Sequence, residues 1–89
     1  MPRLIESLTL LEEAVADSLS GKTLDSRRIL HAVFAVNNEI GVLLRPSGDP
    51  ALKALQLMVN DVTVAVKVAD RKKLREAMER LSKTSLNWR

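Results

Sequence analysis

The segment from Leu52 to Ala69 carries more apolar surface than one helical face of a small protein needs. One set of its residues recurs at spacings of three and four: Leu52, Leu55, Val59, Val62, Val66 and Ala69. This repeat places side chains on one stripe of an α-helix. A second set, Leu57, Val64 and Val68, projects about 120 to 160° from Leu52 at 100° per residue. One stripe can pack a small bundle, so the second predicts contact with a partner.

Composition favours a single all-α domain. The chain has 89 residues, of which 46% are hydrophobic and 28% charged, so it has the means to build one core and is not disordered. Three glycines and two aromatic residues argue against a turn-rich β-protein. We therefore expect one helical domain that spans residues 1–89.

Capping and breaking signals divide this domain into helices at residues 3–19, 26–44, 50–69 and 71–85. Gly21 follows the first helix, and Asp49 with Pro50 suits the start of the third. Asp70 suits the cap of a fourth helix, although one continuous helix through Asp70 also fits the pattern. Short connections favour a small antiparallel bundle of three or four helices around a central helical hairpin, completed by dimerisation.

The charge of the chain is divided between its two ends. The first twenty residues carry one basic and four acidic side chains, whereas residues 71–89 carry seven basic and two acidic ones. An acidic first helix and a basic last helix could lie side by side, or both could be ordinary solvated faces.

The residues needed for metal or thiol chemistry are scarce. The chain has no cysteine and one histidine, so we expect no metal site and no cofactor. The absence of cysteine fits a reducing compartment, and the first residues have no secretion-signal pattern, so we expect a cytoplasmic protein without a membrane span. Paired carboxylates such as Glu12 and Glu13 diverge on a helix, and we expect no enzymatic activity.

His31 is the candidate for phosphotransfer. It falls about 200° from Ile29 on the second helix, on the face opposite the apolar stripe and near Arg27 and Arg28. An exposed imidazole beside positive charge is what a phosphoacceptor needs, but an ordinary surface histidine fits the same pattern. A phosphotransfer module that uses His31 is therefore an alternative function.

The run Phe34-Ala35-Val36-Asn37-Asn38-Glu39-Ile40-Gly41-Val42-Leu43-Leu44 resembles part of a known helical hairpin. It is similar to the first helix of the histidine-kinase dimerisation and phosphoacceptor domain, in the variant with an asparagine pair. Phe34 stands where that family carries its phosphoacceptor, so autophosphorylation there is excluded. The resemblance implies a degenerate dimeric hairpin that binds a signalling partner.

A second resemblance concerns the order of elements along the chain. A short amphipathic helix, a charged linker, Arg28-Ile29-Leu30-His31-Ala32, a glycine-containing turn, a long apolar helix and a last helix that ends near Trp88 are similar to the flagellin export chaperones. The tyrosines of that family's long helix are missing here. This resemblance implies an export chaperone.

The basic last helix raises nucleic-acid binding as a further alternative. Phosphate contacts would come from Arg71, Lys72, Arg75 and Lys83, but glutamates lie between these residues and little aromatic surface is available for stacking. We rank this alternative below protein binding.

The leading prediction is a non-enzymatic protein–protein interaction module: a regulator, adaptor or secretion chaperone that forms a homodimer. Its partner-binding or dimer surface is predicted to consist of Leu57, Val64 and Val68. Phe34, which projects about 140° from Ile29 and off the main stripe of its helix, would add an aromatic anchor.

Overall fold

Four α-helices and no β-strand occupy the part of the chain that the computed structural model describes, residues 2–21 and 23–86. The helices are α1 (Pro2–Ser20), α2 (Ser26–Ser47), α3 (Pro50–Lys67) and α4 (Arg71–Ser85). This confirms the prediction of an all-α bundle and resolves the predicted number of helices to four. Among the described residues, no helix combines the length and apolarity that crossing a membrane requires.

Helix α2 continues to Ser47, whereas the sequence predicted an end at residue 44. Pro46 lies inside the last turn of α2. Its missing N–H removes one helical hydrogen bond, and this loss falls close to the end of the helix, where the last carbonyls have no helical partners in any case. The helix ends at Gly48, which adopts a left-handed φ of 59° and donates its N–H to the carbonyl of Leu44 at 2.7 Å. At the other end, the Asp25 side chain accepts a hydrogen bond from the Arg28 N–H at 3.1 Å.

Helix α3 ends at Lys67, two residues before the predicted end. Val68 keeps a right-handed conformation, but Ala69 has a φ of 56° and turns the chain out of the helix. The Asp70 N–H then donates to the carbonyl of Ala65 at 3.1 Å, the closing bond of a Schellman-type end. The Asp70 carboxylate also accepts from the Lys73 N–H at 3.1 Å and caps α4. The third and fourth helices are therefore separate.

The left-handed conformation of Ala69 predicts that Ala69→Gly stabilises the protein. An alanine in this region brings its Cβ too close to the backbone, and glycine has no such penalty, although it loses more entropy on folding. We expect the free energy of unfolding to rise by about 0.5–1 kcal/mol. Urea unfolding followed by circular dichroism measures the change.

Gly48→Ala is the matched control for that prediction. Gly48 has nearly the same φ, and a Cβ added there would meet no atom within 4 Å, so the effect of backbone conformation is isolated. We expect a loss of about the same size as the gain at Ala69. Destabilisation by Ala69→Gly would contradict the left-handed assignment.

The core is aliphatic and receives side chains from all four helices. The first stripe predicted on α3 is buried at Leu52, Leu55, Val59, Val62 and Val66, each at most 3% exposed. Ala69 does not belong to it, because it lies beyond the end of the helix and is exposed. The buried aliphatic residues of the other helices include Leu4, Leu8, Leu11, Val15, Ile29, Val36, Ile40, Leu74 and Leu81.

The helices pack in sequence order, and α1 also contacts α4, so the four form a closed ring. The neighbours α1 and α4 are antiparallel: Arg71 at the start of α4 reaches the end of α1, and Ser85 at the end of α4 lies 3.4 Å from a carboxylate oxygen of Glu12. The acidic first helix and the basic last helix thus lie side by side. The bundle measures 41 × 20 × 19 Å.

Candidate functional site

The second apolar stripe of α3 lies on the outside of the bundle. Leu57, Val64 and Val68 are 68%, 50% and 58% exposed. At 100° per residue the three side chains lie within about 40° of one another and nearly opposite the buried stripe. They extend over about 16 Å along the helix. We call Leu57, Val64 and Val68 the outer stripe.

Helix α2 adds two large exposed apolar side chains to the same hairpin. Phe34 and Val42 are each 66% exposed. Because α2 and α3 pack as neighbours joined at Gly48, residues equally distant from Gly48 lie at similar heights. Val42 then lies within about 5 Å of the height of Leu57, and Phe34 within about 3 Å of the height of Val64. Apolar side chains therefore occur on both helices at two successive levels of the hairpin.

Val42 was not among the predicted interface residues. It lies between the buried Ile40 and the partly buried Leu43 in the sequence, and its apolar type made it look like part of the same run. The signal was present in the helical geometry, because Val42 projects about 220° from Ile29. Helical geometry also explains why Leu10 on α1 is 57% exposed although its neighbour Leu11 is buried.

Charged residues border the outer stripe on the side of α4. Val64 shares a depression of about 360 Å³ between α3 and α4 with Asp61, Lys73, Glu76 and Arg80. An apolar centre with a polar rim is the usual composition of a protein-binding surface. The charges near Val64 have both signs, so this rim offers pairing to a partner with mixed charge.

A separate apolar groove of about 510 Å³ runs between α1 and α4 and was not predicted. Val15, Ala16, Leu19 and Met78 supply its apolar wall, and its rim is charged through Glu12, Arg75, Glu79 and Lys83. The sequence pattern could not reveal it, because the groove depends on how far apart two helices from opposite ends of the chain settle. It belongs to a different face from the outer stripe.

His31 is exposed on α2, as predicted, and lines a cleft of about 230 Å³ between α1 and α2 with Leu10, Ala14 and Arg28. The Arg28 guanidinium is engaged, because it donates to the Asp17 carboxylate at 2.7 Å. The positive charge that would hold a phosphoryl group beside His31 is thus partly neutralised. This geometry gives phosphotransfer no added support.

The predicted nucleic-acid contacts are divided by the fold. Arg71 donates from Nη1 to the carbonyls of Ser18 and Leu19 at 3.2 and 3.3 Å, so its guanidinium binds the end of α1. Arg75 and Lys83 line the α1–α4 groove, and Lys72 is exposed beside them. Because Arg71 serves the fold, these four residues do not form one free basic face.

The two asparagines of the histidine-kinase-like run have different surroundings. Asn38 is exposed and lies on the row of Phe34 and Val42, at steps of four residues. Asn37 is half-buried, and its Oδ1 is enclosed without a hydrogen-bond partner among the described residues.

Within residues 2–21 and 23–86, no three histidine, cysteine or carboxylate side chains come together in a way that could hold a metal ion. Comparison of the chain with protein-family models, with curated proteins and with solved structures finds no match. The similarities to histidine-kinase hairpins and flagellin export chaperones therefore stay predictions.

Proposed function

We propose that this chain is a non-enzymatic interaction module that binds a protein through the outer face of the α2–α3 hairpin. The observation that carries the proposal is the outer stripe, in which three large aliphatic side chains are at least half exposed on one line of α3. The core does not need them, because the opposite face of the same helix already fills the bundle. Exposed apolar residues that cluster in this way are typical of a protein-binding site.

The exposed residues of α2 extend this surface and provide its aromatic anchor. Phe34 is the large ring of the hairpin, and aromatic side chains contribute strongly at the centres of interfaces. A surface that combines Phe34 with the outer stripe suits the apolar face of a partner helix. We propose a second copy of the chain as the first such partner, which makes the protein a homodimer.

In the cell, such a module would act as a regulator, an adaptor or a secretion chaperone, and we propose that it works in the cytoplasm. The proposal assigns no reaction, cofactor or metal to the chain. The similarity of residues 34–44 to a dimeric kinase hairpin agrees with a role in binding a signalling partner.

The proposal predicts that the double variant Val64→Lys, Val68→Glu loses assembly. Each half-exposed valine that becomes buried contributes about 0.75 kcal/mol, so the four valines of a symmetric dimer contribute roughly 3 kcal/mol to binding, and we expect the dimer dissociation constant to rise about 100-fold or more. Light scattering over a concentration series, at low and high salt, measures it. Circular dichroism should show unchanged helix content, because both side chains project away from the core.

A matched control reverses two charges away from the hairpin surface. Glu13→Lys on α1 with Lys72→Glu on α4 changes two exposed residues and leaves the net charge as in the stripe variant. We expect this control to assemble within about threefold of the native chain. A native chain that stays monomeric at every concentration would overturn the homodimer.

Binding of a different protein is tested with the same pair of variants. The native chain, the stripe variant and the control are immobilised, and the bound proteins are quantified. Proteins retained by the native chain and by the control, but lost from the stripe variant, are expected. Equal retention by all three would contradict a binding role for the outer stripe.

A further inference from the structure

The connection between α3 and α4 is built from residues that can all join a helix. It consists of Val68, Ala69 and Asp70, without glycine or proline, and Val68 already lies in the right-handed region, with φ −89° and ψ −1°. Among the described residues, Ala69 is the one non-glycine residue with a positive φ, which its Cβ makes unfavourable. The turn between α2 and α3 differs, because it has Gly48 at the left-handed position and Pro50 after it.

The apolar faces of α3 and α4 would form one stripe if this connection became helical. Val66, the last core residue of α3, and Leu74, the first of α4, are separated by two steps of four residues through Asp70. Steps of four keep side chains on the same side of a helix. Two residues, Ala69 and Asp70, would need to change their backbone conformation to make one helix from Pro50 to Ser85.

The straightened helix would be too long to close its own bundle. Its 36 residues would span about 54 Å, whereas the longest dimension of the bundle is 41 Å. The helix α4 would leave its position and expose Leu74, Ala77 and Leu81, which are at most 2% exposed in the closed chain. The vacated face of α1 and α3 matches the surface of α4, which packs on both helices in the closed chain, and a second copy of the chain supplies the same α4.

We propose that two copies of this chain exchange α4 and form a dimer in which each core is completed by the partner's last helix. The contacts that hold α4 in the closed chain then form between chains, including the bond from Arg71 to the end of α1. The exchange relieves the left-handed Ala69 and removes the Asp70 cap of α4. The exchange does not use the outer stripe, which stays available in both forms for the contact proposed above.

Substitutions in the connection test the exchange. Asp70→Ala removes the cap that favours the closed form and places a strong helix former at the junction, so we expect the dimer fraction after refolding at high concentration to rise at least tenfold. Ala69→Gly relieves the turn and disfavours the straight helix, so its dimer fraction should fall below that of the native chain. Light scattering on the refolded samples measures both.

Asp49→Ala is the matched control. Asp49 caps α3 by accepting from the Ala51 N–H at 2.9 Å, as Asp70 caps α4, but Gly48 and Pro50 flank it and oppose a straight helix. It should lose stability without gaining dimer. Equal dimer fractions for Asp70→Ala and Asp49→Ala would overturn the proposal.

Crosslinking shows which chain supplies α4 and does not depend on the folding of Asp70→Ala. Ala16→Cys and Glu79→Cys introduce two exposed thiols on opposite walls of the α1–α4 groove, in a chain that has no other cysteine. A short bis-maleimide is added to the isolated dimer and the product is run on a denaturing gel. An exchanged dimer gives crosslinked chains of twice the monomer mass.

A dimer held by the outer stripe gives crosslinks within one chain, which would overturn the exchange and leave the proposed function intact. Conversely, dimers that crosslink between chains and persist in the Val64→Lys, Val68→Glu background would support the exchange and count against the stripe as the dimer contact. A native chain that yields no dimer after refolding at high concentration would overturn both.

Discussion

Leu55→Ala is expected to lower the free energy of unfolding by about 2–5 kcal/mol. Leu55 is fully enclosed on the buried face of α3, and its truncation removes apolar contacts and leaves a cavity that a close-packed core fills incompletely. A domain of this size holds roughly 5–15 kcal/mol of stability, so one substitution removes a large part of it. Urea unfolding by circular dichroism measures the loss, and the melting temperature should fall by roughly 8 °C or more.

Leu57→Ala is the control, two residues further along the same helix. Leu57 is 68% exposed, so its truncation removes little buried surface and should change the stability of a single chain by no more than about 0.5 kcal/mol. Both substitutions replace leucine with alanine in a helix, so their intrinsic helix propensities cancel in the comparison. Equal losses would contradict the assignment of Leu55 to a buried face and Leu57 to an exposed face of α3. The measurement is made at a concentration where the protein is monomeric.

Arg71→Ala is expected to cost about 1–3 kcal/mol. The Arg71 guanidinium donates to the carbonyls of Ser18 and Leu19 in the last turn of α1. The Ser18 carbonyl also accepts from the Gly21 N–H at 3.3 Å, so Arg71 adds to the capping of this helix end. A positive charge at a helix C-terminus is also favourable, so two effects are lost together. The bond joins residues at opposite ends of the chain, and the loss should weaken the closure of α1 against α4.

Lys72→Ala separates this role from charge alone. Lys72→Ala removes the same formal charge one residue later. Because Lys72 is exposed, the free energy of unfolding should fall by no more than about 0.5 kcal/mol. Arg71→Lys should recover part of the stability, because a lysine keeps the charge but not the planar donor group. If Arg71→Ala and Lys72→Ala unfold at the same urea concentration, the bond to α1 contributes nothing.

Local sequence signals predicted most of the helix ends. Asp25, Asp49 and Asp70 each cap the helix that follows them, and the spacing of leucines and valines places the core face of every helix. The end of α2 was predicted too early because Pro46 reads as a helix breaker, whereas one missing donor is tolerated in a last turn. Whether α3 continued into α4 stayed open, because residues 68–70 contain no glycine or proline.

The surface was harder to predict than the core. The outer stripe followed from helical spacing, since three residues on one line of α3 oppose the core. The role of Arg71 and the groove between α1 and α4 depend on contacts more than 50 residues apart, which periodicity within one helix cannot reveal. The exposure of Val42 could have been predicted from the same helical spacing, but its apolar neighbours in the sequence made it resemble a core residue.

The aliphatic composition of the core has a consequence for spectroscopy. Phe34 is the one aromatic side chain among the described residues and lies at the surface, so aromatic absorbance from that part of the chain says little about the interior. Leucine and valine methyl groups instead occur in both the core and the outer stripe. In one sample with isotope-labelled methyl groups, binding of a partner to the outer stripe would shift the methyl resonances of Val64. Release of α4 from the bundle would instead shift those of Leu74. The chain is therefore suited to methyl NMR, which would separate surface binding from helix exchange in a single titration.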